Sequence, residues 1–117
     1  MESNQEKKLG KIQSVSFGLG GYQEAMLGLS VTFHSEKDHW GVADFKGTWD
    51  YNIIEVTETT KWTEEDRSLL NIEMLKLISD LLKDAKVNSV DQLKGKPVEC
   101  TFEGNKLVSW RILKEVI

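Results

Sequence analysis

The residues with the clearest capacity for chemistry lie in one glycine-rich segment. Gly18, Gly20 and Gly21 stand within four positions, and Tyr22 follows directly. Bare glycine backbone lets a ligand approach closely, and the Tyr22 ring offers a stacking face beside it. Glycines are also what a turn or a bulge between two strands requires. The segment therefore indicates either a ligand loop or a turn, and the sequence leaves both open.

The glycines do not form a known phosphate-binding motif. A dinucleotide fingerprint needs G-x-G-x-x-G between a strand and a helix, so that the pyrophosphate meets the helix N-terminus. Gly18 and Gly20 fit this pattern, but Gln23 occupies the third place and the next segment alternates like a strand. A loop of the form G-x-x-x-x-G-K-[ST] is also missing from the sequence.

Catalytic and metal-binding groups are sparse. His34 and His39 are the only two imidazoles, whereas a transition-metal site needs three or four converging ligands. Cys100 is the only cysteine and lies in the alternating register of a predicted strand, where a thiol behaves as a small hydrophobe. We therefore predict no metal, no cofactor and no catalytic residue, and a protein that is not an enzyme.

Aromatic side chains form the second candidate group. Core packing accounts for most indoles, but an exposed ring also stacks on a base or anchors a partner protein. Arg111 has two candidate partners, a ligand phosphate or a carboxylate such as Glu99 or Glu103 on the neighbouring strand. The four tryptophans are Trp40, Trp49, Trp62 and Trp110. The candidate ligand-binding residues are Gly18, Gly20, Gly21, Tyr22, Trp40, Trp49 and Arg111.

The elements that position these residues begin with strands. Residues 1–8 are polar and are predicted to form a disordered tail, so that residues 9–117 make a single domain. A short strand in "KIQSVSF" is expected to be interrupted by Gly18 to Gly21. Residues 26–34 then alternate as a half-buried strand, and residues 39–45 read as the return strand of a hairpin.

A long helix is the strongest local signal. Residues 64–85 follow Thr63, which with Asp66 resembles a capping box. Leu69 and Ile72 fall outside the broad apolar arc, and a helix with apolar residues on so much of its circumference often contacts a second layer or a second subunit. The arc itself comprises Leu70, Met74, Leu75, Leu77, Ile78, Leu81, Leu82 and Ala85.

The remaining segments complete an α+β pattern. Residues 50–62 are predicted to form a short strand and a loop. Val98, Cys100 and Phe102 alternate before a Gly104–Asn105 turn, and the returning strand directs Trp110 and Arg111 to opposite faces. The predicted fold is an antiparallel β-sheet with one long amphipathic helix packed on one face and a C-terminal β-hairpin.

Net charge, cysteine count and hydrophobicity exclude some classes of binding partner. A net charge of -4 gives no general basic surface, so duplex nucleic acid is not expected as a partner. A single cysteine permits no intrachain disulfide, and no run of about 18 apolar residues occurs. The sequence therefore predicts a cytoplasmic protein with no membrane contact.

Three phrases of the chain resemble a family of short proteins encoded in phage and prophage genomes. They are "GLGGYQEAMLGLSVTF", "WGVADFKGTW" and "GKPVECTFEGNKLVSWRILKEVI", and the resemblance covers most of residues 11–117. Small phage proteins of this kind often counter host defence. One such class, the Thoeris anti-defence sponges, consists of oligomeric cytosolic proteins that sequester nucleotide-derived immune signals.

Two functional hypotheses follow from the residues and the resemblance together. The first is a non-enzymatic protein of the host cytoplasm that sequesters a small nucleotide-like ligand and assembles as a homo-oligomer partly through its helix. The second is a counter-defence inhibitor that binds a host protein through an aromatic surface patch.

Overall fold

The elements below are those of a computed structural model, which describes residues 5–21, 24–50, 52 and 62–117. In chain order the elements are β1 (Gln5–Gly20), β2 (Met26–Ser35), β3 (Trp40–Trp49), α1 (Glu64–Ala85), a 3-10 segment (Val90–Leu93), β4 (Pro97–Glu103), β5 (Lys106–Ile112) and a second 3-10 segment (Lys114–Val116). Within the described residues, the strands occur in the order β3-β2-β1-β4-β5 across one antiparallel sheet. The α+β class and the C-terminal hairpin are confirmed.

The central strand β1 changes partner along its length. Its first half, from Gln5 to Lys11, pairs with β4, and its second half, from Lys11 to Gly20, pairs with β2. The register between β1 and β2 shifts between Ile12 and Ser14, next to the change of partner. Such an irregularity bends a strand and increases its twist, so the two halves of the sheet turn toward each other.

The sheet curls until its two edge strands meet. The indole Nε1 of Trp110 in β5 donates a hydrogen bond of 2.8 Å to a carboxylate oxygen of Asp44 in β3. The centroid of the Trp110 ring also lies 4.8 Å from the centroid of the Phe33 ring in β2. The concave face of the curl is the core face. Its buried residues include Ile12, Leu29, Val31, Phe33, Val98, Cys100, Phe102 and Ile112.

The helix forms where the sequence predicts it. Thr63 Oγ1 accepts a hydrogen bond of 3.1 Å from the Asp66 backbone N–H, and the Asp66 carboxylate accepts one of 2.8 Å from the Thr63 N–H. This confirms the capping box. Helix α1 contacts the two edge strands β3 and β5 and the Val90–Leu93 segment. The expectation that it packs across one whole face of the sheet stays a prediction.

Strand β1 is longer than the sequence analysis predicts. Residues 5–8, which fall in the predicted tail, pair with β4, and the strand continues through Gly18 and Gly20 without the predicted interruption. The predicted interruption at these two glycines is therefore wrong. Strand β3 likewise extends to Trp49, through Gly47, which the sequence predicts to mark its end or a bulge. Both extensions are stabilised by pairing with a neighbouring strand. This pairing cannot be predicted from the sequence of either segment alone.

One residue of the helix wheel is misplaced in the sequence analysis. Leu75 belongs to the predicted buried arc, but it is 70% exposed. Met74, Leu81 and Ala85 of that arc are buried as predicted. Among the described helices, none is long and apolar enough to cross a membrane. The strand and loop predicted for residues 50–62 fall mostly outside the described residues.

Two glycines paired across β1 and β2 give a matched test of the sheet. Gly18 and Gly28 are register partners. A Cβ on Gly28 would collide with the Lys46 carbonyl oxygen and the Gly47 Cα, whereas a Cβ on Gly18 would meet open space. We expect Gly28→Ala to lower the free energy of unfolding by about 1–3 kcal/mol, because backbone atoms cannot move aside as a side chain can.

The control substitution is Gly18→Ala. It is expected to leave the free energy of unfolding unchanged or to raise it by up to about 1 kcal/mol, since alanine restricts the unfolded chain. Urea denaturation of both variants measures the difference. Equal losses in the two variants would contradict the packing described for this face.

Candidate functional site

The glycine-rich segment is mainly a strand that accommodates an aromatic ring. A Cβ on Gly20 would lie 2.9 Å from the Phe45 ring, and one on Gly47 would lie 2.8 Å from it. The Phe45 ring therefore occupies the space that side chains at these positions would need. Gly21 follows the strand with φ of 68°, a left-handed conformation that favours glycine. Tyr22 lies outside the described residues.

Trp49 is already engaged with a second indole. Its ring stacks on that of Trp62 with centroids 5.7 Å apart and an angle of 1° between the planes. The guanidinium carbon of the buried Arg67 lies 4.7 Å from the centre of the Trp62 ring. This pairing attaches the start of the helix to the end of β3. Trp49 therefore has a structural role, in addition to any contact it makes with a ligand.

Arg111 is paired with carboxylates of this chain. Its Nε donates to Glu99 at 3.1 Å, and its Nη1 and Nη2 donate to the two carboxylate oxygens of Glu115 at 2.9 and 2.8 Å. These hydrogen bonds, with Glu115 contributing most, raise the pKa of Arg111 above its ordinary value. Of the two candidate partners for Arg111, the carboxylate is the one present in the structure. Trp110 and Arg111 point to opposite faces, as predicted.

The structure does not bring the six described candidate residues into one site. Gly20 is paired with Met26, and Met26 with Trp49, so Gly20 and Trp49 share one end of the outer face of the sheet. Outer face here means the face opposite the core face. Trp40 lies on the core face, where its ring packs edge-on against the Phe102 ring with their centroids 5.3 Å apart. Arg111 lies on the edge strand β5.

A concavity that contains only one of the six described candidate residues, Trp40, lies beside the first half of β1. Strand β2 leaves β1 after the Lys11–His34 pair, and the β2–β3 hairpin continues past that point without a partner on β1. The space left between the hairpin and the first half of β1 is a cleft of about 930 Å³. We call it the hairpin cleft. Its lining residues are Glu6, Lys7, Lys8, Leu9, Gly10, Lys11, His34, Ser35, Glu36, Lys37, Asp38 and Trp40.

One wall of the hairpin cleft is a strand edge that pairs with no other strand of the described residues. In antiparallel pairing, alternate residues direct both backbone groups toward the same neighbour. The Ile12 N–H donates to the Lys96 carbonyl oxygen at 3.0 Å, so Ile12 and the even-numbered residues before it direct these groups toward β4. Lys7 and Leu9 therefore direct theirs toward the cleft, where no described strand pairs with them.

The lining of the hairpin cleft has one more lysine than it has acidic residues. Lys7, Lys8, Lys11 and Lys37 outnumber the acidic Glu6, Glu36 and Asp38, although the whole chain carries a net charge of -4. The Lys7 Nζ lies 4.0 Å from Glu99, and the Lys8 Nζ lies 5.2 Å from the centre of the Phe102 ring. Neither Lys11 nor Lys37 has an ion-pair partner among the residues described.

Trp40 forms the apolar base of the hairpin cleft. A Cβ on Gly10 would lie 2.7 Å from both the Trp40 ring and the His34 carbonyl oxygen, so only glycine fits where the indole crosses β1. The Trp40 Nε1 is buried and has no hydrogen-bond partner in the described part of the chain. A buried donor without an acceptor costs free energy, commonly about 1–3 kcal/mol. The base of the cleft therefore retains one unsatisfied polar group.

The cleft residues on β1 are absent from the predicted site. The segment "QEKKLGK" has charged residues on both faces, so the apolar alternation that marks a half-buried strand is missing. The sequence contains only a weaker indication that this segment is a strand. Lys7, Leu9 and Lys11 alternate with Glu6, Lys8 and Gly10, which is compatible with a strand continuing into "KIQSVSF".

Other reactive groups give no second site in the described residues. Burial raises the pKa of the Cys100 thiol to about 11, which leaves little thiolate at neutral pH. His34 lines the cleft and His39 is exposed in the hairpin turn. Within the described ranges, no three His, Cys, Asp or Glu residues are grouped so as to hold a metal ion.

Comparison with protein-family models, with curated proteins and with solved structures finds no match for this chain.

The Arg111 cluster makes a prediction about acid titration. The hydrogen bonds from Arg111 lower the pKa of Glu115 from 4.5 to about 2. Because the folded pKa is lowered, the stabilising effect of this pairing is present above pH 4.5 and is lost as the pH falls through about 2. We expect Arg111→Gln to return the pKa of Glu115 toward 4.5, as measured by NMR titration of the side-chain carboxyl carbon.

The control is Lys7→Gln, which removes a cation near Glu99 and leaves the Glu115 hydrogen bonds intact. The Glu115 titration should then stay unchanged. A native Glu115 that titrates near 4.5 would contradict the pairing of Arg111 with Glu115.

Proposed function

We propose that this protein is a non-enzymatic binding protein that sequesters a small nucleotide-derived signalling molecule, and that the hairpin cleft holds this ligand. The observation that carries the proposal is the composition of the cleft. Lysine ammonium groups, a free strand edge and an indole lie around one concavity. An anion, a hydrogen-bonding edge and an apolar ring are the three parts of a nucleotide that these groups would recognise.

Each wall supports a different part of the ligand. Lys11 on β1 and Lys37 on the hairpin turn both line the cleft, and their ammonium groups would attract a phosphate there. The free backbone groups of Lys7 and Leu9 pair with the polar edge of a base. Trp40 provides apolar surface at the base of the cleft. The glycine-rich segment contributes to this site only through the fold, because it lies at the other end of β1.

The inhibitor hypothesis has less support. It requires an exposed aromatic patch, but all four tryptophans are partly buried, and each makes an aromatic contact within the chain. Among the described aromatic residues, Phe17 on β1 is the one that is largely exposed. A host protein as the partner stays a prediction.

The proposal is tested by ligand binding to the purified chain. AMP, ADP, NAD and cyclic di-AMP are titrated individually, and the melting temperature and calorimetric heat are recorded. Native mass spectrometry of the protein as isolated detects any small molecule it retains. We expect at least one nucleotide to bind, and we expect Lys11→Gln and Lys37→Gln each to weaken binding by about tenfold, or ~1.4 kcal/mol.

The matched control is Lys83→Gln on helix α1, which removes the same charge outside the cleft and should leave affinity unchanged. The proposal is wrong if no nucleotide shifts the melting temperature and no small molecule is retained. Equal weakening by all three variants would also contradict it, because that result indicates attraction by net charge alone.

A further inference from the structure

Helix α1 carries a second apolar surface opposite the core. Leu69, Ile72 and Leu75 are 54%, 63% and 70% exposed. They succeed one another at three-residue intervals, so they lie along one side of the helix. Met74 and Leu81 on the other side are buried in the core. We call the three exposed residues the helix stripe.

Charged residues at the two ends of the helix stripe have opposite signs. Glu65 lies one turn before Leu69, and Lys76 lies one turn after Ile72. Both are exposed, and neither has an ion-pair partner among the described residues. A surface with an acidic end, an apolar centre and a basic end is complementary to a copy of itself turned end for end.

A two-fold axis near Ile72 satisfies this complementarity. In an antiparallel helix pair about that axis, Ile72 meets Ile72 of the second copy and Leu69 meets Leu75 of the second copy. Lys76 then lies within one turn of Glu65 of the second copy, and the same pair occurs again across the axis. The contact would span about three turns of a 22-residue helix that is roughly 33 Å long.

We infer that the helix stripe binds a second copy of this chain through antiparallel pairing of the two α1 helices. The interface is isologous, as in most homodimers. It buries the apolar side chains that the fold leaves in water and gives Glu65 and Lys76 their partners. The hairpin cleft lies elsewhere on the chain, since the described helix residues contribute nothing to its lining. Assembly is therefore separable from ligand binding.

Sedimentation of the full chain tests the assembly. We expect a mass of twice 13.3 kDa, or an even multiple of it. Ile72→Gln should weaken association by at least tenfold while leaving the circular dichroism spectrum unchanged, because this side chain is exposed within the subunit. Val116→Gln replaces an equally exposed apolar residue outside the helix and should leave association unchanged.

Charge exchange tests the pairing. Glu65→Lys and Lys76→Glu should each weaken association several-fold, and the double variant should restore it, since each copy then presents both charges reversed. Orientation is tested by oxidation of cysteine variants. Ile72→Cys should form a disulfide-linked dimer, whereas Ser79→Cys should not, because antiparallel helices separate the two copies of residue 79 by about 20 Å.

Three results would overturn the inference. They are a wild-type chain that sediments as a monomer, an Ile72→Gln variant that associates as the wild type does, and a double charge variant that stays as weak as the single ones. A monomeric wild type whose helix stripe is required to capture another protein assigns this surface to that protein instead. A monomeric variant that still binds nucleotide leaves the proposed function intact.

Discussion

The structure depends on one strand that serves two half-sheets. Strand β1 pairs with β4 along its first half and with β2 along its second, and the bulge beside Ile12 lies where the partners change. Because the halves turn toward each other there, β3 and β5 meet through the Asp44–Trp110 hydrogen bond. At the same place β2 leaves β1, and the hairpin cleft lies between the first half of β1 and the β2–β3 hairpin. The curl of the sheet and the cleft therefore both follow from the change of partner along β1.

The hairpin cleft and helix α1 both contact the hydrophobic core. Trp40 packs on Phe102 and closes the base of the cleft, so its indole belongs to the core and the site at once. Gly10 is required there because a larger residue would displace the indole. The helix reaches the core from the edge strands and presents its opposite side to solvent. Recognition of a ligand and recognition of a second copy are therefore assigned to separate surfaces.

Local signals in the sequence predict local structure well. Thr63 and Asp66 predict the start of the helix because both capping bonds join residues three apart. Gly104 predicts the C-terminal hairpin because a residue with φ of 64° favours glycine. The glycines at 18 and 20 look like a loop by themselves. The reason for Gly20 is the Phe45 ring, which lies two strands away, whereas a Cβ on Gly18 would meet open space. Leu75 is exposed in the structure, and the apolar arc alone does not show this, because burial on a helix depends on its contacts with other elements.

The candidate site could not be predicted for the same reason. Residues 5–8 have charges on both faces and become a strand only through pairing with β4, about 95 residues later in the sequence. Trp40 could be predicted as a candidate ligand-binding residue because an indole is a residue type that often contacts ligands. The lysines beside it were not, since a surface lysine carries no sign of the concavity around it.

Amide hydrogen exchange along β1 tests the central claim, that its first half is a strand with one free edge, most directly. The amides of Glu6, Lys8 and Gly10 should exchange slowly because they are directed toward β4, whereas those of Lys7 and Leu9 should exchange quickly because they are directed toward the cleft. Fast exchange at all five positions would mean that the segment is a tail. Slow exchange at all five would mean that another strand fills the cleft, and either result would contradict the account.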